Sequence, residues 1–415
     1  MSGRSAGVQA RVLLFTGKGG VGKTTTAAAT ALELAARGHR VVVTSADPAH
    51  SLSDALGVEL GSDLRPVAPG CDAQQLDALE RMESSWGEIR EWLVQVFDWA
   101  GLSAVEAEEL AVFPGFEELV ALLEIDRLAQ AGDHDVVVVD CAPTAESIRL
   151  LSLPDMLDWY MQRLFPASRR LTRLVGPVLS RFTDLPVAGA GVFDAGERFH
   201  RQLARVRDTL TDPAVTSVRI VVTPERMVVA EARRTHTYLS LFGYHVDAVV
   251  VNRILPEGGD DPFMASWRRA QCEQLEAIAE GFAPLPLVPA AHAHDEILGV
   301  EALRAHGRGI WEGCDPCDDL SPGRPLRLEH RDGAPVLVLE LPNVDGSEVD
   351  LTQTGVDLAV SVGPYRRNIV LPDSLRGRQV DRARLLDGAL EVTFLPVGVS
   401  SASAAPGCAE GPDER

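Results

Sequence analysis

Several things are scarce in this chain, and each scarcity closes off a class of protein. Cysteine occurs six times in 415 residues (Cys71, Cys141, Cys272, Cys314, Cys317 and Cys408), scattered rather than clustered. That excludes a disulfide-stapled scaffold and suits a reducing compartment. Only Cys314 and Cys317 have C-x-x-C spacing, among Asp315, Pro316, Asp318 and Asp319. No second pair completes four ligands for a structural zinc, although two copies of the chain could pool theirs. No apolar run approaches the ~20 residues that span a bilayer. Met1-Ser2-Gly3-Arg4-Ser5 leads almost at once into the first apolar run, so no secretory leader is expected and a cytoplasmic location is. Positive charge is short as well: 39 Lys and Arg stand against 60 Asp and Glu, a net charge of −21. Nucleic acid and anionic membrane surfaces are therefore poor general partners.

What is present is a large apolar budget and one sharp motif. Hydrophobic residues make up 46% of the chain, and its mean hydropathy is +0.03, enough for a sizeable core. Gly17-Lys18-Gly19-Gly20-Val21-Gly22-Lys23-Thr24 fits G-x-x-x-x-G-K-S/T. Val12-Leu13-Leu14-Phe15 before it reads as a buried strand, and Thr24 to Arg37 after it reads as a helix stopped at Gly38. A strand, a Gly-rich loop and a helix N-terminus together surround a phosphate with backbone N–H groups. Gly17, Gly19, Gly20, Val21 and Gly22 would supply the loop, with Thr24 and Thr25 opening the helix. Lys23 would reach the β- and γ-phosphates of ATP, and the Thr24 hydroxyl would bind Mg²⁺. The bland alternative, a chance Gly-rich turn, rarely comes with both flanks.

Arg40 to Asp47 is a second apolar strand ending in a carboxylate, which closes one βαβ unit. Asp47-Pro48-Ala49-His50-Ser51-Leu52-Ser53-Asp54 then reads as a polar loop at the ligand-binding edge of the sheet. From about Asp72 to Ala131 the pattern turns helical, interrupted by Pro114-Gly115. Asp135 to Asp140 is an apolar strand closed by an acid, so Asp140 is a candidate Mg²⁺ ligand. Cys141 to Ser147 is a second loop at that edge. The Met- and Leu-rich stretch from Ile148 to Phe165 reads first as core, with adaptable binding as the alternative. Glu197 to Leu210 and Arg226 to Leu241 read as helices, Val218 to Val222 and Val246 to Val251 as strands. Leu285 to Pro289 is a short extended piece.

Alternation of this kind predicts an α/β fold with a mostly parallel sheet over residues 1–313, carrying a helical subdomain (about 85–130 and 148–210). Residues 314–325, rich in Asp, Pro and Gly, read as a linker. Beyond them the period becomes two (Val336/Val338, Leu358/Val360/Val362, Leu390/Val392/Phe394), with turns at Asp332-Gly333 and Asp387-Gly388. That predicts a small all-β sandwich over 326–397, followed by a disordered tail at 398–415.

Lys18, directly after the first glycine, makes the loop resemble the deviant Walker A of the signature-lysine ATPases, which include the nitrogenase iron protein and the Min and Par partition ATPases. Asp47 to Asp54 resembles switch I, and Asp140-Cys141-Ala142-Pro143-Thr144 switch II, of the arsenite-pump ATPase (ArsA) and the ATPase that targets tail-anchored membrane proteins. Thr223-Pro224-Glu225 and Asn252-Arg253-Ile254-Leu255-Pro256 are similar to the same family. The resemblance implies a Mg²⁺-dependent ATPase acting as a homodimer. Lys18 would reach the partner subunit's nucleotide, Asp47 would orient the attacking water, and Asn252 would contact adenine. It implies either a chaperone or targeting factor for hydrophobic helical clients, with a groove including Leu157, Met161 and Leu164, or the energising subunit of an arsenite or anion pump. A membrane receptor or pump would then be a further partner. A partition role would call for a basic patch, which the sequence lacks. Two departures stand out: Ala145-Glu146-Ser147 replaces the family's Gly-His-Thr, and the pump's paired metalloid cysteines have no evident counterparts. The C-terminal region, with Leu341-Pro342, Val362-Gly363-Pro364-Tyr365-Arg366-Arg367 and Leu371-Pro372, resembles the α-crystallin-like domain appended to some members.

Overall fold

A computed structural model describes residues 9–47, 51–76, 116–142, 190–258 and 261–395. The expected client groove at Leu157, Met161 and Leu164, most of both helical subdomain stretches, and the tail lie outside the described residues. The chain divides into two compact units, Met1–Arg324 and Pro325–Arg415.

Among the described residues the first unit has eight strands: β1 (Arg11–Thr16), β2 (Val41–Ser45), β3 (Arg65–Ala68), β4 (Cys71–Gln75), β5 (Val136–Asp140), β6 (Thr216–Val222), β7 (Val246–Ile254) and β8 (Leu287–Ala291). Their order is β3-β4-β2-β5-β1-β6-β7-β8, and β3 alone among them pairs antiparallel. The helices are α1 (Lys23–Ala36), α2 (Ser51–Leu56), α3 (Phe116–Ala131), α4 (Ala190–Thr211), α5 (Arg226–Phe242), α6 (Pro262–Phe282) and α7 (Val300–Ile310). Strands β2, β5 and β6 are buried along their whole length, which is why runs of Val and Ile dominate them. α5 ends on Gly243, whose φ of 86° lets the last turn close without a Cβ clash.

Three parts of the unit differ from the sequence reading. The helical pattern expected from Asp72 begins instead with β4, paired from Val41↔Cys71 to Ser45↔Gln75. Its sequence hides a core strand, because Gln74 and Gln75 are buried there; Gln74 Nε2 donates to Glu124 Oε1 at 3.1 Å. The polar segment after Asp47 continues as the short helix α2. Residues 314–320, which composition marks as a linker, are bonded to the first unit. Arg37 donates to the Cys314 carbonyl at 2.8 Å, and His245 Nε2 lies 2.9 Å from Asp319 Oδ1.

Towards the strand starts lies a buried ionic cluster. Arg219 on β6 donates to Asp247 on β7 through Nε and Nη2 at 3.2 and 3.3 Å, and both side chains are 0% exposed. Arg219 also lies over the Trp311 ring at 4.8 Å, and Arg11 Nη2 stands 3.9 Å from Asp247. Helix α7 packs on α1. A Cβ on Gly307 would sit 2.2 Å from the Ala29 carbonyl oxygen, so only glycine permits this approach. Trp311 Nε1 donates to Thr30 Oγ1 at 2.9 Å just beyond it.

The second unit has two antiparallel sheets. One runs β14 (Val380–Leu386), β15 (Ala389–Phe394), β10 (Ala334–Glu340), β9 (Leu326–Arg331); the other runs β11 (Val349–Thr354), β12 (Asp357–Val362), β13 (Tyr365–Val370). Asp332-Gly333 and Asp387-Gly388 have positive φ at both residues, the two-residue hairpin turn that matches strand twist. Gln353 bridges the sheets, donating to the Arg378 carbonyl at 2.8 Å and accepting from Val380 N at 2.9 Å.

Candidate functional site

The C-terminal ends of β1, β2, β5 and β7 bring the sequence-selected residues to one edge. After β1 the loop turns under tight steric limits. A Cβ on Gly17 would lie 2.3 Å from the Val221 carbonyl oxygen, and one on Gly22 (φ 91°) would lie 2.4 Å from Asn252 Nδ2. Neither position tolerates a side chain. Asn252 holds the loop directly, donating from Nδ2 to the Val21 carbonyl at 2.8 Å, while its Oδ1 accepts from Arg253 N at 2.8 Å.

Lys23 is buried, with Nζ donating to the Lys18 carbonyl at 3.4 Å. Thr24 Oγ1 shares a hydrogen bond with Ser51 Oγ at 3.1 Å, which ties α1 to α2. Asp140 is fully buried at the end of β5. Ser45 Oγ donates to its Oδ2 at 3.5 Å, while Oδ1 has no hydrogen-bond partner among the described residues. Burial pushes its carboxyl up to about 7, against the pull of the Thr24 hydroxyl and the Lys23 charge and with a further push from Asp47. Asp47 is half-buried, and its backbone N–H donates to Ser45 Oγ at 3.1 Å.

A cavity of 530 Å³ opens at this edge, large enough for a nucleotide. Gly19, Gly20, Gly22, Lys23, Thr24, Thr25, Asp47 and Asn252 all line it. Gly17 and Val21 support it from behind, and Asp140 sits beneath Thr24. Lys18 is not in the lining: its ammonium is 3.3 Å from Glu231 Oε2 on α5. The opposite wall, including Arg253, His292, Asp295, Leu298 and His306, was not singled out from sequence. Its one signal is a polar run directly after β8, at the edge where α/β sheets hold ligands. Pro48-Ala49-His50 of the first loop and Pro143 to Ser147 of the second lie outside the described residues.

The donor set suits a hard cation that a phosphate helps to coordinate. Thr24 offers a hydroxyl and Asp140 an unpartnered carboxylate oxygen, the ligand types Mg²⁺ takes while it keeps waters and phosphate oxygens. Among the described residues no group of three or more His, Cys, Asp or Glu could hold a metal without such help. The neighbouring Cys141 thiol is buried and pushed up to about 12, as is Cys71, so neither is a thiolate near neutral pH.

A family model described as anion-transporting ATPase matches residues 10–311, and one described as the HSP20-like domain found in ArsA matches residues 332–394. The chain is 35% identical over 388 residues to the putative arsenical pump-driving ATPase 1 of Aquifex aeolicus, covering 90% of this chain and 97% of that protein. It is 35% identical over 389 residues to the putative arsenical pump-driving ATPase of Chlorobaculum tepidum, covering 92% and 96%. With the ATPase GET3B of Arabidopsis thaliana the identity is 30% over 332 residues, covering 74% and 80%. Among the described residues no helix is long and apolar enough to cross a membrane.

Proposed function

The chain belongs to the anion-transporting ATPase (ArsA) family, and on that premise we propose that it is a Mg²⁺-dependent ATP phosphohydrolase. In this reading it works as a homodimeric switch that shields or delivers hydrophobic helical clients. The observation that carries the catalytic part is the Asp140 carboxylate oxygen, buried, without a hydrogen-bond partner among the described residues, and close enough to Lys23 to feel its charge. A buried unpaired anion is costly unless a ligand completes it. Bound Mg²⁺ would supply charge neutralisation at the phosphates.

Each residue then has a defined task. The loop N–H groups and Lys23 bind the β- and γ-phosphates, and Thr24 and Asp140 hold the cation. Asp47, at the γ-phosphate side of the cavity, orients the attacking water. Asn252, which holds the loop through the Val21 carbonyl, would contact adenine. Lys18 supplies a second cation to the partner's phosphates, as an arginine finger does, so hydrolysis waits for two subunits to close. The client-binding part rests on the Met- and Leu-rich stretch around Leu157, Met161 and Leu164 and on the HSP20-like domain match.

The printed names of two of the relatives favour a second reading, an ATPase that energises an arsenical pump. One experiment separates the two. A membrane-anchor segment is synthesised cell-free with Asp47→Asn, which binds ATP and hydrolyses it slowly. The chaperone reading expects an ATP-dependent soluble complex that Lys23→Ala fails to form. Absence of that complex, with arsenite-stimulated turnover in the unmodified protein, moves the assignment to the pump.

A further inference from the structure

The side chain of Lys18 does not point where its backbone does. Its carbonyl stays in the loop and accepts from Lys23 Nζ at 3.4 Å, while its ammonium leaves the cavity and meets Glu231 Oε2 at 3.3 Å. The topology explains how they meet. Strand β6 lies beside β1, with Thr16 opposite Ile220, so α5, which starts just after β6, runs alongside the loop. Glu231 lies in the second turn of α5 and reaches the loop's first lysine. The two side chains are 33% and 28% exposed, so water screens the pair and the pairing can be exchanged. In its own cavity Lys18 would add a second ammonium beside buried Lys23, which Coulomb repulsion disfavours.

We propose that Glu231 is a positioning residue that parks Lys18 on its own subunit's α5 until a second nucleotide-loaded copy draws the ammonium across. This rests on the two-subunit reading above. Parking taxes assembly, because each subunit gives up its internal pair before it contributes its lysine to the other. An exposed ion pair changes an equilibrium constant by up to about fivefold, so the tax is modest and set by salt.

The test follows the monomer–dimer midpoint by sedimentation with Mg²⁺ and ATP, in the slow-hydrolysing Asp47→Asn background. Glu231→Gln, which keeps the side-chain shape and removes the charge, is expected to lower the midpoint about two- to thirtyfold, because two pairs are released per dimer. Glu231→Asp, which keeps the charge on a shorter stem, should lie between it and the parent. In a Lys18→Ala background the Glu231→Gln change should do nothing, since no ammonium is left to release. An equal shift with and without Lys18, or a midpoint that stays or rises in Glu231→Gln, would overturn the proposal while leaving the two-subunit reading intact. A chain that stays monomeric with ATP at every concentration overturns that reading, and the parking role with it. A Glu231→Gln variant that fails to fold leaves Glu231→Asp to decide the matter, by the same comparison across the two backgrounds.

Discussion

Arg219 with Asp247, and Lys23 with Asp140, are two buried cation–anion sets, the first carried by β6 and β7 and the second by the start of α1 and the end of β5, and they are satisfied differently. Towards the strand starts, Arg219 and Asp247 face each other through two hydrogen bonds, and Arg11 adds its charge to the same carboxylate. Only Nη1 of Arg219 lacks a partner there among the described residues. At the strand ends, among the described residues, Asp140 keeps one oxygen unpartnered and Lys23 Nζ donates to a backbone carbonyl at 3.4 Å. The first set closes on itself and holds strands together. The second is arranged for groups that arrive from outside. Burial alone therefore does not distinguish the two sets; the cavity that Lys23 and Thr24 line beside the second does.

The difference can be broken from either end. Asp247→Asn leaves Arg219 and Arg11 as uncompensated charge in the interior and should cost about 3–5 kcal/mol in denaturant unfolding. The opposite sign is expected for Asp140→Asn. It removes an anion that burial disfavours, so the nucleotide-free protein should gain about 1–2 kcal/mol while Mg²⁺-supported ATP turnover collapses. A fall in stability there would mean that Asp140 is a structural partner rather than a ligand.

A smaller test uses a third buried group that neither set includes. His236 on α5 is buried against Phe282, ring centroids 5.8 Å apart, and burial pushes it down to about 4. The folded state then binds fewer protons than the unfolded one between about pH 6.5 and 4, so stability falls as pH falls through that window. Between pH 7 and 5.5 the loss should be about 1 kcal/mol, read as a drop in melting temperature that His236→Phe removes.

The loop, Asp47 and Asp140 were legible in the sequence because contiguous residues determine their surroundings. A Gly-rich turn between an apolar strand and an Ala-rich helix leaves few other folds, and an acid ending a buried run lands at the strand's C-terminal edge. Most of the parallel strands were legible for the same reason, each carrying a run of buried Val, Ile or Leu. What escaped depended on partners distant in sequence. The polar β4 is a strand because β2 pairs with it and Glu124 satisfies Gln74. The contact between Lys18 and Glu231 needs the β1–β6 register before it exists. The stretch from Cys314 to Leu320 has a linker's composition, yet Arg37, Arg219 and His245 hold it in place.

The strand order also bears on the history of each molecule as it is made. β1 is synthesised well before its sheet neighbours β5 and β6, which begin at Val136 and Thr216. α1, which follows the loop, is braced by Gly307 and Trp311 later still. The earliest apolar segment therefore waits, unpaired, through most of the unit's synthesis, a state prone to aggregation. The cavity, lined from Gly19 to His306, is assembled only once that unit's chain is nearly complete.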